Sequence, residues 1–154
     1  MRIMAVDYGD ARTGVAVSDE SAALVGEAWV IHGKNLNAVV QTIAGAAVAR
    51  GVGVIAVGYP KNMNDTVGPR ALKSERLAEA LRAELSRLQS GAGVVLWDER
   101  LTTSDAHRVL SDAGRHGKKR KESVDAVAAS LILEGYLGYH NNAECRMQNA
   151  EMGL

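Results

Sequence analysis

The sequence predicts one α/β domain on a mixed sheet of five strands, three antiparallel and two parallel. Three observations carry this. Residues 3–32 hold three short apolar stretches joined by short polar links, the pattern of an antiparallel meander. Two continuous apolar runs, Val54 to Gly58 and Val94 to Trp97, alternate with helical stretches, which implies right-handed parallel crossovers. The 154 residues suffice for one domain with a substantial core and not for two of ordinary size.

The elements follow in order. Ile3 to Asp7 reads as a short buried strand, and Gly9 with Asp10–Arg12 as a turn. Gly14 to Ser18 then forms a hairpin with it, and Glu27 to His32 supplies the third strand. From Asn35 to Arg50, Leu36, Val39, Val40, Ile43 and Ala47 repeat at helical spacing, and Gly51 ends the helix. Val54 to Gly58 is a strand covered on both faces. Gly68-Pro69 opens a helix lined by Leu77, Leu81, Leu85 and Leu88, with proline suited to its first turn. After the strand Val94–Trp97, Thr102 or Thr103 caps a helix striped by Ala106, Val109, Leu110 and Ala113. A basic loop, Arg115 to Lys121, leads to a last helix from Ser123 to Leu137, with Val124, Val127, Ala128, Leu131 and Gly135 inward. The domain is thus 1–138. Residues 139–154 form a polar tail, loosely ordered or a short extra helix.

Hydrophobic residues at 47% and charged residues at 23% are ordinary for a soluble protein. Phe is absent, so Val, Ala, Leu and Ile fill the core. A net charge of zero gives no overall preference for nucleic acid or membrane. Cys145 is the one cysteine, which excludes an internal disulfide and fits a reducing compartment. No secretory leader opens the chain and no apolar run approaches the roughly 20 residues of a membrane span, so a cytoplasmic protein is expected. The four histidines show no metal-ligand spacing, and no serine or cysteine stands in a nucleophile motif.

Acids carry the functional signal. Asp7 ends the first strand, Asp98 and Glu99 end the last, and Asp125 lies early in the final helix. Parallel strands put their carboxyl ends on one sheet edge, where α/β proteins build sites. With Val54–Gly58 between them, Asp7 and the Asp98-Glu99 pair stand about 9.6 Å apart, two strand spacings. Gly58 has no side chain to fill the gap, and a divalent cation with oxygen ligands spans part of it. Asp125 precedes Ala128, Ala129 and Ile132 by three, four and seven residues, which turns it toward the sheet. Taken singly, each acid has a plainer role: a turn acid at Asp7, a helix-dipole partner at Asp125, an ion pair with Arg100 at Glu99. Gathered at about 5 Å they repel by about 3 kcal/mol per pair, which calls for a metal ion or a raised pKa. Carboxylates clustered on divalent metal serve mainly phosphoryl transfer.

The segment Arg115–Lys121 holds five of the eighteen Lys and Arg residues and ends just before Asp125. It is either a solvated charged loop or a contact for a phosphate backbone, with strong salt dependence and little sequence preference. The strand-to-helix link Gly58–Ala71 is longer than usual and rich in Asn and Gly, consistent with a phosphate near a helix N-terminus.

Four ordered blocks, MAVDYGDARTGVAVSD, VGYPKNMNDTVGPRA, DERLTT and KKRKESVDAVAASLIL, resemble the YqgF/RuvX family, bacterial Holliday-junction-resolvase-like proteins described as candidate pre-16S rRNA nucleases. The resemblance spans most of residues 1–138. It implies an RNase H-like fold with helices on both sheet faces. It also implies a Mg²⁺- or Mn²⁺-dependent nuclease, with two ions, acting at the 5′ end of pre-16S rRNA. Asp7, Glu99 and Asp125 become catalytic acids and metal ligands, with Asp98 a further candidate ligand. Arg12, Asn62, Arg70, Arg100, Lys118, Lys119, Arg120 and Lys121 become nucleic-acid-binding residues. The chain departs from the family at Ala11, where Lys or a polar residue is common, and at Asn64-Asp65, where Asp-Gly is common. Branched DNA is the alternative substrate, and a non-catalytic RNA-binding module the alternative class. An actin-like ATPase opens with a similar strand and Asp-x-Gly turn but needs a second domain that 154 residues cannot supply.

Overall fold

The computed structural model describes residues 1–61, 64, 66–101, 118–151 and 153, the side chains of 118–123 excepted. Five strands form one sheet: β1 (Arg2–Asp7), β2 (Arg12–Ser18), β3 (Val25–His32), β4 (Val52–Tyr59) and β5 (Gly93–Asp98). Their order is β3-β2-β1-β4-β5. β1 runs antiparallel to β2, and β2 to β3, while β1–β4 and β4–β5 are parallel. β4 therefore separates β1 from β5, as the placement of the acids requires.

Helices cover both faces. On one, α1 (Leu36–Ala49) and α2 (Pro69–Arg87) pack Val39, Val40, Ile43, Leu77, Leu81 and Leu85 over Met4, Val6, Val15, Val17, Ile55 and Val57. Asn35 caps α1 by accepting the Ala38 N–H at 3.0 Å, and Gly51 at φ +66° closes the turn beyond it. Pro69 opens α2, where a missing N–H costs nothing. On the other face, α3 (Lys118–Glu151) lays Ala129, Ile132, Leu133, Tyr136 and Leu137 over Ile3, Ala5, Ala16, Ala56 and Trp97.

The sequence expectations need three corrections. Lys118 to Lys121 open α3 and are not loop; Lys and Arg are good helix formers, and their charge did not oppose it. The inward stripe of α3 is Ala129, Ile132, Leu133, Tyr136 and Leu137, turned from the expected one. Residues 124–133 are apolar nearly all round, so periodicity there does not fix the phase. Beyond Gly138, α3 continues unbroken to Glu151, because Ala, Glu, Arg, Met and Gln sustain a helix and no proline intervenes. Asn141 Nδ2 also donates to the Ala22 carbonyl at 3.0 Å, tying that stretch to the β2–β3 turn. The expected helix with Ala106, Val109, Leu110 and Ala113 lies outside the described residues.

Candidate active site

Side chains on the α3 face shrink toward the carboxyl edge of the parallel strands. β4 reads Val54, Ala56, Gly58 on that face, and β1 reads Ile3, Ala5, Asp7. Alternation along β1 thus brings Asp7 out on the α3 side, partly buried at the end of a strand whose four middle residues are fully buried. Two glycines flank it. Gly14 pairs with Asp7 across β2, and Gly58 stands one residue beyond the Val6–Val57 pair on β4.

Each glycine makes room for one of the other acids. A Cβ on Gly58 would lie 2.4 Å from Glu99 Oε1 and 2.8 Å from Ile132 Cδ1. The Glu99 carboxylate, carried on a single 3₁₀ turn (Glu99–Leu101) after β5, therefore reaches back over β4 toward Asp7. A Cβ on Gly14 would lie 2.1 Å from the Asp125 carbonyl oxygen and 3.3 Å from Ala129 Cβ. α3 thus rests its turn Asp125–Ala129 directly on the β2 backbone. The sequence reading missed Gly14, although a glycine inside a strand is itself the signal of a close backbone approach.

Electrostatics tie the acids together. Burial raises the Asp7 carboxyl above its ordinary range; Arg70 opposes the rise and Asp125 adds to it. Burial and then the Asp7 charge push Glu99 up to about 7, again against Arg70, with Asp98 adding to the rise. Arg70, exposed in the first turn of α2, is thus the cation among the described residues that acts on both acids. Asp125 is held by Arg12, whose Nε donates to Oδ2 at 2.9 Å.

Asp98 is engaged elsewhere. Arg100 binds it through its backbone N–H at 3.0 Å and through Nη2 at 2.6 Å. Arg100 holds its carboxyl below the usual range. Among the described residues, no three His, Cys, Asp or Glu side chains are gathered closely enough to hold a metal ion as they stand. The backbone of Lys118, Lys119, Arg120 and Lys121 forms the start of α3, four to seven residues before Asp125. Asn62 lies outside the described residues. No helix among the described residues is long and apolar enough to cross a membrane.

A family model described as "RuvX: Holliday junction resolvase" matches residues 1–139. The chain belongs to the RuvX family. Relatives named as candidate pre-16S rRNA nucleases agree across nearly their whole length. The one from Halothermothrix orenii is 44% identical over 92% of this chain and 97% of its own. That from Listeria monocytogenes is 40% identical over 92% of this chain and 100% of its own. Among solved structures, Thermus thermophilus RuvC in complex with a Holliday junction superposes with a TM-score of 0.55 at 14% identity, over 88% of this chain and 94% of that one. The fowlpox virus Holliday junction resolvase gives 0.55 at 14% identity, over 90% and 99%. The RuvX chain therefore has the RNase H-like fold that the sequence motifs imply.

Proposed function

We propose that this chain is a nuclease that hydrolyses phosphodiester bonds with the help of Mg²⁺ or Mn²⁺, and that it processes the 5′ end of pre-16S rRNA. The observation that carries this is the Glu99 carboxylate seated over Gly58 beside Asp7, with both carboxyls raised. Such a pair is costly for a structural ornament and apt for a cation. Carboxylate oxygens are the hard donors these ions take, and a cation offsets both the cost of burying these charges and the repulsion between them. Asp7 and Glu99 would hold the ion, with Asp125 as the third acid. A bound divalent ion supplies a hydroxide-like nucleophile at neutral pH and offsets charge on the leaving oxygen.

The chain's own groups do the rest. Glu99, pushed up to about 7 by burial and by Asp7, would give up its proton as the ion binds and serve as its ligand. Arg70 stands where a phosphate would meet both acids and offsets its charge. The basic first turn of α3 binds the flanking backbone through charge and not through base identity. The name shared by the relatives supports pre-16S rRNA as the substrate.

The test is cleavage of a pre-16S 5′-end RNA and of a four-way DNA junction by the purified full chain in Mn²⁺. Asp7→Asn, Glu99→Gln and Asp125→Asn should each lower the RNA rate by about a hundredfold or more while RNA is still bound. Full cleavage by Asp7→Asn would overturn the assignment. Junction cleavage without RNA cleavage moves the substrate to branched DNA.

A further inference from the structure

Among the described residues, Asp125 lies near groups of opposite sign. It faces Asp7, whose carboxyl it helps to raise, and it accepts the Arg12 Nε–H at 2.9 Å. Arg12 is the first residue of β2, two before the Gly14 on which Asp125 rests, so the pair joins sheet to helix at the catalytic edge. Its side chains are 33% and 24% exposed, open enough for an ion or a phosphate to reach either one.

Asp7 and Glu99, raised first by burial and then by neighbouring charge, meet the cost of negative charge at this edge by holding protons more tightly. Asp125 meets it with a guanidinium. A carboxylate hydrogen-bonded to arginine is not a free ligand, whereas a guanidinium released from it presents a planar fork that suits phosphate oxygens.

We propose that Arg12 is an exchangeable counter-ion: it neutralises Asp125 in the free protein, and when a divalent cation takes that carboxylate it turns to the substrate phosphate. The inference rests on the metal-dependent reading above and assigns Arg12 two successive partners. Cation and RNA binding thereby become linked, because the ion frees the arginine that the RNA uses. Arg12 acts on the cation through Asp125 and is a positioning residue until it meets the phosphate.

The experiment measures Mn²⁺ binding to the full chain, from the free Mn²⁺ resonance signal, for wild type, Arg12→Gln, Arg12→Lys and Arg12→Gln with Asp125→Asn. Arg12→Gln should bind Mn²⁺ about fivefold more tightly, the ratio equivalent to a part-exposed ion pair of about 1 kcal/mol. Arg12→Lys should stay near wild type, and the gain should vanish in the Asp125→Asn background. RNA binding in Ca²⁺ should weaken about fivefold in Arg12→Gln, opposite in sign to the change in Mn²⁺ affinity. In the wild-type protein, which needs no variant to fold, the Arg12 Nε–H resonance should shift and lose its protection from exchange as Mg²⁺ is added. Unchanged or weaker Mn²⁺ binding in Arg12→Gln, or an Arg12 signal indifferent to Mg²⁺, would overturn the exchange alone. A wild-type chain that binds no Mn²⁺ at millimolar concentration would overturn the metal-dependent reading together with it.

Discussion

The Glu99 carboxylate occupies the space that a side chain at position 58 would fill, with Oε1 2.4 Å from where a Cβ on Gly58 would stand. The three nearest atoms that such a Cβ would meet, Glu99 Oε1, Ile132 Cδ1 and Glu99 Cδ, all lie toward the far ends of flexible side chains. Gly58→Ala should therefore fold, with a loss of about 1 kcal/mol, the low end of overpacking costs. Glu99 would be turned off β4, and cleavage should fall at least about tenfold. Urea unfolding and RNA cleavage on the same preparation separate the two effects; activity at the wild-type level would show that the seat over Gly58 does not matter.

Gly14 makes the contrasting case. A Cβ there would lie 2.1 Å from the Asp125 carbonyl oxygen and 2.7 Å from its carbon, both backbone atoms that cannot rotate aside. Gly14→Ala must lift α3 from β2 and loosen Ala129, Ile132 and Leu133 from the core. The expected loss is about 3 kcal/mol, the upper end of overpacking costs, read from the urea midpoint. A loss below that of Gly58→Ala would contradict the close approach of helix and strand.

Most of this site was legible in the sequence, because strand ends can be found from apolar runs and parallel strands share an edge. Asp7, Gly58 and Glu99 follow from that reasoning; for Asp125 only its place early in the last helix does, since of the Ala128, Ala129 and Ile132 used to orient it only the last two are buried. The phase of α3 did not follow, since its middle is apolar on every side and the choice belongs to Gly14 and the sheet beneath. The Arg12–Asp125 pair spans 113 residues, and no local pattern encodes a contact of that kind. The helical continuation past Gly138 was obscured by polarity: a surface helix with few buried residues carries little periodic signal.

The basic turn at the start of α3 should act through charge alone. Replacing Lys118, Lys119, Arg120 and Lys121 by Gln should weaken RNA binding to a similar degree for unrelated sequences. It should also reduce the slope of log K against log salt by up to about 3, at roughly 0.7 per single-strand phosphate contact. A slope equal to that of wild type, measured by titration at several salt concentrations, would remove this turn from the interface.

Glu99 also makes stability depend on pH. Its ordinary value is 4.5 and its folded value about 7, so between these limits the folded protein holds a proton that the unfolded chain has released. Stability varies with pH as the protons bound by the unfolded state minus those bound by the folded state. The difference is negative here, so the folded state should lose stability as pH rises from 4.5 to about 7, in the absence of divalent ions. Asp7, raised in the same direction, should add to the decline from 3.8 upward. Glu99→Gln keeps a neutral group at all pH values, and its stability should fall less across this window and exceed that of wild type at pH 8. Because Arg70 lowers both carboxyls, Arg70→Gln should move the decline to higher pH. Saturating Mg²⁺ binds the deprotonated acids of the folded chain and should abolish the decline in the wild type while leaving Glu99→Gln less affected. Urea midpoints from pH 4.5 to 8 with and without Mg²⁺ decide it; a Glu99→Gln profile parallel to the wild type would mean that this carboxyl titrates as an ordinary surface acid.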